Sequence, residues 1–189
     1  MSENETFLEG ERIYLRDVWP SDVNDAYHRW MNAPEVTRFL ESRFHAHSIE
    51  GLRDYVEGKR GDRDNVFLAI VLKDRDRHVG NIKLGPINWF HRFADIGIMI
   101  GEKDCWGKGY AGEAIKLLVD HAFAELNLHK LTAGCYSTNQ GSVKAFQKVG
   151  FEIEGVRKKY FYCDGGYVDH ILMGMLKPET DTNTPPEDP

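Results

Sequence analysis

The stretch of this sequence best placed to do chemistry begins Ile98-Met99-Ile100, continues through Gly101 to Cys105, and then reads Trp106-Gly107-Lys108-Gly109-Tyr110-Ala111-Gly112-Glu113-Ala114. It has the pattern of an apolar strand feeding, through glycines, the start of a helix. Glycine lets backbone N–H groups approach a ligand closely, and the first-turn amides of a helix, with its dipole, favour a phosphate. A phosphate cradle and a plain strand-to-helix turn both account for these glycines. ATP or GTP hydrolysis is disfavoured, because Lys108 is followed by Gly109-Tyr110 and not by the Ser or Thr that a GxxxxGK loop requires.

Two other groups of residues invite a metal or redox reading and do not sustain it. His45 and His47 stand two apart with no further ligands at metal spacing, so no metal is expected. Cys105, Cys135 and Cys163 are odd in number and match neither a CxxC pair nor a disulfide framework. They are read as reduced, mostly buried thiols.

The elements that must position this loop follow from periodicity. Arg12 to Arg16 alternates as a strand, and Pro20-Ser21-Asp22 opens a helix with Val23, Ala26, Tyr27 and Trp30 on one face. Ser48 begins a second helix with Leu52, Tyr55 and Val56 aligned and Gly58 near its end. Val66 to Leu72, His78 to Leu84 and Phe93 to Ile100 then form an antiparallel meander. A long helix carries Ala111, Ile115, Leu118 and Ala122 to an end near Asn127. Lys130 to Tyr136 is a strand, and a helix runs from a cap at Asn139 to a stop at Gly150. Strands around Val156 to Tyr162 and Tyr167 to Lys177 pair across Gly165-Gly166. Because the glycine loop follows a meander and not the first strand of a repeated βαβ unit, NAD binding is also disfavoured.

The chain has 189 residues, 41% of them hydrophobic and 29% charged, which suits one soluble domain. No apolar run is long enough for a membrane span, and the first residues lack a signal-peptide pattern, so a cytoplasmic location is expected. The net charge is −6, but Glu179, Asp181, Glu187 and Asp188 sit in a tail without basic residues. The remaining body is near neutral, which offers no electrostatic footprint for nucleic acid. The expected organisation is a domain over 1–177 and a disordered acidic, Pro-rich tail over 178–189.

On these residues the chain resembles the GNAT N-acetyltransferases. Trp106-Gly107-Lys108-Gly109-Tyr110-Ala111 fills the family's Gln/Arg-x-x-Gly-x-Gly/Ala motif, with Trp106 in the first position as in the RimJ/RimL-type branch. Asn139 to Phe151 is similar to its second signature, a helix running from Asn to Lys-x-Gly-Phe. The resemblance spans about Glu9 to Lys177 and is similar in places to amino-sugar and polyamine acetyltransferases. It implies an α/β (α+β) fold with a mostly antiparallel, seven-stranded mixed sheet, splayed between strands 4 and 5 and flanked by about four helices.

The resemblance also implies the chemistry, which is acetyl transfer from acetyl-CoA to an amine with no metal. Ile98, Met99 and Ile100 would offer main-chain groups to pantetheine, with an oxyanion contact near Ile100. The loop Gly107, Lys108, Gly109, Tyr110, Ala111, Gly112 would hold the pyrophosphate. Asn139 would reach the pantetheine arm, or serve only as a helix cap, and Lys144 the adenosine phosphates. Asp95 is the implied proton acceptor, or an outward residue paired with Arg92. The family's frequent acid, a Tyr, is replaced by Phe146, which leaves Ser142 and Tyr136 as proton donors. Specificity would come from the first two helices and the loop Gly85 to Arg92. A small amine, of amino-sugar nucleotide or polyamine type, is the expected acceptor. A protein N-terminal alanine, a non-catalytic acyl-CoA sensor and a homodimer stay open.

Overall fold

The computed structural model describes residue 3 and residues 5–179. The strands are Leu8–Glu9 (β1), Ile13–Asp17 (β2), Val66–Leu72 (β3), Arg77–Leu84 (β4), Phe93–Ile100 (β5), Lys130–Tyr136 (β6), Glu152–Cys163 (β7) and Gly166–Leu176 (β8). The α-helices are Asp25–Asn32 (α1), Pro34–Thr37 (α2), Ile49–Lys59 (α3), Tyr110–Ala124 (α4) and Gln140–Val149 (α5). The strands build one mixed sheet in the order β1-β2-β3-β4-β5-β6-β8-β7. Every neighbouring pair is antiparallel except β5 and β6.

The sheet has eight strands where seven were expected, because β1 pairs only Leu8 and Glu9 with β2 and is too short to show alternation. The helix count rises from about four to five through the single turn α2. The first helix also starts later than its Pro-Ser-Asp signal. Pro20–Asp22 is a 3₁₀ turn, and Asp22 is drawn off to the buried Arg16 guanidinium (Nη2–Oδ1 2.6 Å, Nη1–Oδ2 2.8 Å). Asn24 caps α1 instead, accepting from the amides of Ala26 and Tyr27. The long helix stops at Ala124 and not near Asn127, which takes a φ of 50° in the turn that follows. The last hairpin turns on Asp164-Gly165, both with positive φ, one residue before the expected pair. Of the expected tail, residues 180–189 lie outside the described residues.

Two cores sandwich the sheet. One, with Leu68, Ile82, Ala94 and Ile96 beneath α4 and α5, includes Ile115, Leu118 and Phe146. The other, with Ala69 and Val71 beneath α1 and α3, includes Tyr27, Trp30, Leu52 and Val56. Because side chains alternate along a strand, Asp95, Gly97 and Met99 of β5 face the second side. This face carries the site.

Candidate active site

β5 and β6 pair through only three residues, Phe93↔Lys130, Ala94↔Leu131 and Asp95↔Thr132. Beyond Asp95 the strands part, as the family resemblance implies, since β5 stays registered on β4 while β6 stays registered on β8. The Gly85 amide donates to the Asp95 carbonyl at 2.8 Å, which fixes the odd residues of β5 as those bonding toward β4. The main-chain groups of Ile96, Ile98 and Ile100 therefore face the gap. Those of Met99 face β4, and its side chain lines a cavity. The Ile100 carbonyl is taken by the Trp106 indole N–H at 2.8 Å, so the residue that departs from the family motif ties the loop to the strand end. Unpaired main-chain groups on a strand edge need partners, and an extended ligand rich in amides can supply them.

At the end of this gap the chain enters α4 through Gly107 (φ 72°) and Gly109 (φ 86°), a region where a side chain is strained. The first amide to return to the protein is Glu113, which donates to the Gly109 carbonyl. Among the described residues no acceptor meets the amides from Gly107 to Gly112. Six consecutive free N–H groups at a helix N-terminus form an anion cradle. Arg12, which motif reading missed, braces it. Its Nε meets Glu113 Oε2 at 3.0 Å, its Nη1 donates to the Lys108 carbonyl at 2.9 Å, and its guanidinium lies over the Tyr110 ring. Burial raises the Glu113 carboxyl, but the backbone amides of Arg12 and Ile13 and the Arg12 guanidinium outweigh it and hold the pKa low.

On the face of Asp95 lies a cavity of about 440 Å³. Its walls come from α1, the Leu40–Ser42 segment, His47, α3 and the inner residues of β3, β4 and β5. The two helices expected to shape the acceptor site both line this cavity. The loop Gly85 to Arg92 does not line it, because Trp89 Nε1 is fixed to Asp64 (2.9 Å) and Asn88 bridges to Phe93. His47 belongs to this wall, with its ring against the Ser42 carbonyl (2.9 Å), and is not a solvated loop residue.

Asp95 is exposed to solvent, yet enough protein lies around it to desolvate its carboxylate. This desolvation raises its carboxyl pKa, opposed by a hydrogen bond from Thr132 Oγ1 (2.9 Å) and by the Lys83 charge. Thr132, not Arg92, is its partner. Lys83, another residue motif reading missed, sits opposite Gly97 on β4. Desolvation and the neighbouring Lys59 lower its pKa, and among the described residues its ammonium makes no ion pair or hydrogen bond. Across the gap, His170 is buried with both ring nitrogens unpartnered, and its Nε2 packs where a Cβ on Gly134 would stand, 2.5 Å away. Burial lowers its pKa. Only register could have placed it here, since it lies opposite Tyr136.

The remaining expected residues separate by surroundings. Asn139 caps α5, its Oδ1 accepting from the Ser142 amide at 3.2 Å, which leaves its amide nitrogen free to donate. Ser142 Oγ lies 3.4 Å from Cys135 Sγ beside the gap. Tyr136 is buried, stacked on Phe161 at 4.1 Å, with its hydroxyl accepting from Arg43 Nη1. Phe146 is core, edge-on to Phe151 at 5.0 Å. Lys144 is exposed on α5, with no ion pair or hydrogen bond among the described residues. The three cysteines are buried and free. Among the described residues no group of three His, Cys, Asp or Glu could hold a metal, and no helix is long and apolar enough to cross a membrane.

Known proteins share this arrangement. Residues 12–152 match the family model described as an acetyltransferase (GNAT) domain. The probable N-acetyltransferase YjcK of Bacillus subtilis is 34% identical over 91% of this chain and 98% of its own length. A spermidine N(1)-acetyltransferase of Escherichia coli is 36% identical over 88% and 83%. The crystal structure of spermidine N-acetyltransferase from Vibrio cholerae with CoA and spermine superposes with a TM-score of 0.79 at 25% identity, covering 88% of this chain and 96% of that one. GNAT acetyltransferases use acetyl-CoA, and the gap and amide cradle suit its pantetheine and pyrophosphate. The chain belongs to the GNAT family and is an acetyl-CoA-dependent acetyltransferase.

Proposed function

We propose that this protein acetylates the primary amine of a small molecule entering from the Asp95 face. The observation that carries the reading is the open cavity between α1, α3 and the sheet, which lies on the same face of β5 as Asp95, beside the gap. Its size suits a small molecule. Relatives named for spermidine acetylation support a small amine. The alternative of a protein N-terminus has in its favour the Trp106-Gly107-Lys108-Gly109 loop similar to the RimJ/RimL-type branch; the neighbour named a ribosomal-protein-S5-alanine acetyltransferase, at 24% identity, adds a likeness of fold alone.

Acetyl-CoA supplies an activated acetyl thioester. The Ile98 and Ile100 amides bond along its pantetheine arm, and the one nearest the thioester meets the charge that develops on its carbonyl oxygen. The amides from Gly107 to Gly112 receive the pyrophosphate, the free amide of Asn139 reaches the pantetheine arm, and Lys144 lies toward the adenosine phosphates. An amine of pKa near 10 is mostly protonated at pH 7, so attack requires a group that takes its proton. Asp95 does this through water, and its raised pKa makes it a stronger base than an ordinary carboxylate. The departing thiolate takes a proton from Ser142, Tyr136 or solvent.

Thiol release from acetyl-CoA, measured against amino-sugar nucleotides, polyamines, aminoglycosides, simple amines and N-terminal peptides, tests the reading. Release with small amines is expected. Release with peptides alone would transfer the assignment to protein N-termini, and none with any amine would make the protein an acyl-CoA sensor.

A further inference from the structure

The charge of the cavity narrows the acceptor further, resting on the small-amine reading above. Its wall is largely apolar, with Met31, Leu40, Leu52, Phe67 and Met99 supplying much of the surface. None of the lining residues is Asp or Glu. The one lysine that lines it, Lys83, projects on the face of Gly97, and the floor beside it is open, since a Cβ on Gly97 would meet nothing within 4 Å. Gly97 has no positive φ to explain it, so its missing side chain serves space.

A polyamine carries several ammonium groups. In this cavity all but the reacting one would lose water without meeting a carboxylate, and they would lie near the Lys83 ammonium. The mismatch is in sign as well as in polarity. Conversely, Lys83 is a half-buried cation with no hydrogen bond or ion pair among the described residues; Asp95 and Asp62 act on its charge only from beyond contact, and Lys59 beside it is itself paired with Asp62 at 3.4 Å. An anion from the ligand would complete it. Asp95 lies diagonally across the β4–β5 register from Lys83 but outside ion-pair distance, which leaves it for the amine.

We infer that the acceptor is an apolar or aromatic primary amine bearing a single carboxylate, which Lys83 binds, and not a polyamine. Gly97, beside Lys83, and the gap-facing groups of Ile98 to Ile100 are one to three residues apart, roughly 3–10 Å along an extended strand. The carboxylate is therefore separated from the amine by an apolar spacer, as in an ω-amino acid.

The test compares kcat/KM of the full-length enzyme for 4-(aminomethyl)benzoate, 4-methylbenzylamine and spermidine, in wild type, Lys83→Met and Lys83→Glu. The wild type should prefer the carboxylated amine over spermidine by at least tenfold. Lys83→Met should lower kcat/KM for 4-(aminomethyl)benzoate at least tenfold relative to 4-methylbenzylamine, a ratio that cancels any effect on Asp95. Lys83→Glu should shift preference toward spermidine. Wild-type preference for spermidine, or a carboxylate-to-methyl ratio unmoved by Lys83→Met, overturns the inference while N-acetylation of small amines stands. Thiol release with none of the amines in the wider screen overturns both.

Discussion

The Asp95 carboxylate accepts a hydrogen bond from the Thr132 hydroxyl at 2.9 Å, across the last paired rung before β5 and β6 part. The contact ties the proposed base to the geometry that opens the gap, and it favours the ionised form against the desolvation that raises the pKa.

Asp95→Asn should lower kcat by about 10²–10⁴-fold at neutral pH, the range a general base supplies, with CoA affinity nearly unchanged. Thr132→Val removes a contact that holds the pKa down, so it should move the acidic limb of kcat/KM to higher pH. An Asn variant that keeps the wild-type acidic limb would show Asp95 to be structural.

Gly109→Val places a branched side chain at φ 86°, directly before the amides that await an anion. Strain of this kind costs about 1–3 kcal/mol, and the side chain obstructs the cradle. Calorimetric titration should show CoA binding weakened at least tenfold in a folded variant. Unchanged affinity would mean that the glycines serve the turn alone.

Ser142→Ala and Tyr136→Phe should each lower kcat by less than tenfold. A thiolate of pKa near 8.5 is a tolerable leaving group at pH 7, so its protonation matters less than removal of the amine's proton. Single-turnover rates decide it, and a loss beyond a hundredfold in either variant would identify a required acid.

His78 is buried against Tyr27 and Trp30, its Nε2 within 2.8 Å of Asn81 Oδ1. Burial lowers its pKa, only partly opposed by Asp22. The unfolded chain therefore binds the proton more readily, so stability is full above the unfolded pKa of about 6.5 and falls as pH drops below it. Urea unfolding should lose roughly 1 kcal/mol per pH unit between 6.5 and 5.5, and His78→Gln should flatten that slope. Asp22 contributes at lower pH, since Arg16 and the Trp19 amide outweigh its burial and hold it low. An unchanged slope in His78→Gln would assign the acid sensitivity to other groups, His170 first.

Much of this protein is determined by its sequence alone. The apolar runs of β3, β5 and β6 fix those strands to the residue, because a buried strand needs an unbroken or alternating apolar pattern whatever surrounds it. The Asn139 cap, the Gly150 stop and the glycines before α4 are local backbone requirements, visible without neighbours. Where signals compete, the sequence is ambiguous. Asp22 could cap a helix or neutralise Arg16, and burial of the guanidinium decided it. Tertiary structure alone brought together the residues of the proposed acceptor side. Lys83, His47 and Asp95 are scattered along the chain, and neither motif nor period joins them. What joins them is the pairing of β4 with β5 and the position of the helices above, which, among the described residues, leaves one lysine without an ion pair and no carboxylate in the cavity wall. Charge balance in a cavity depends on which side chains register brings to one face, and spacing within a motif cannot reveal it.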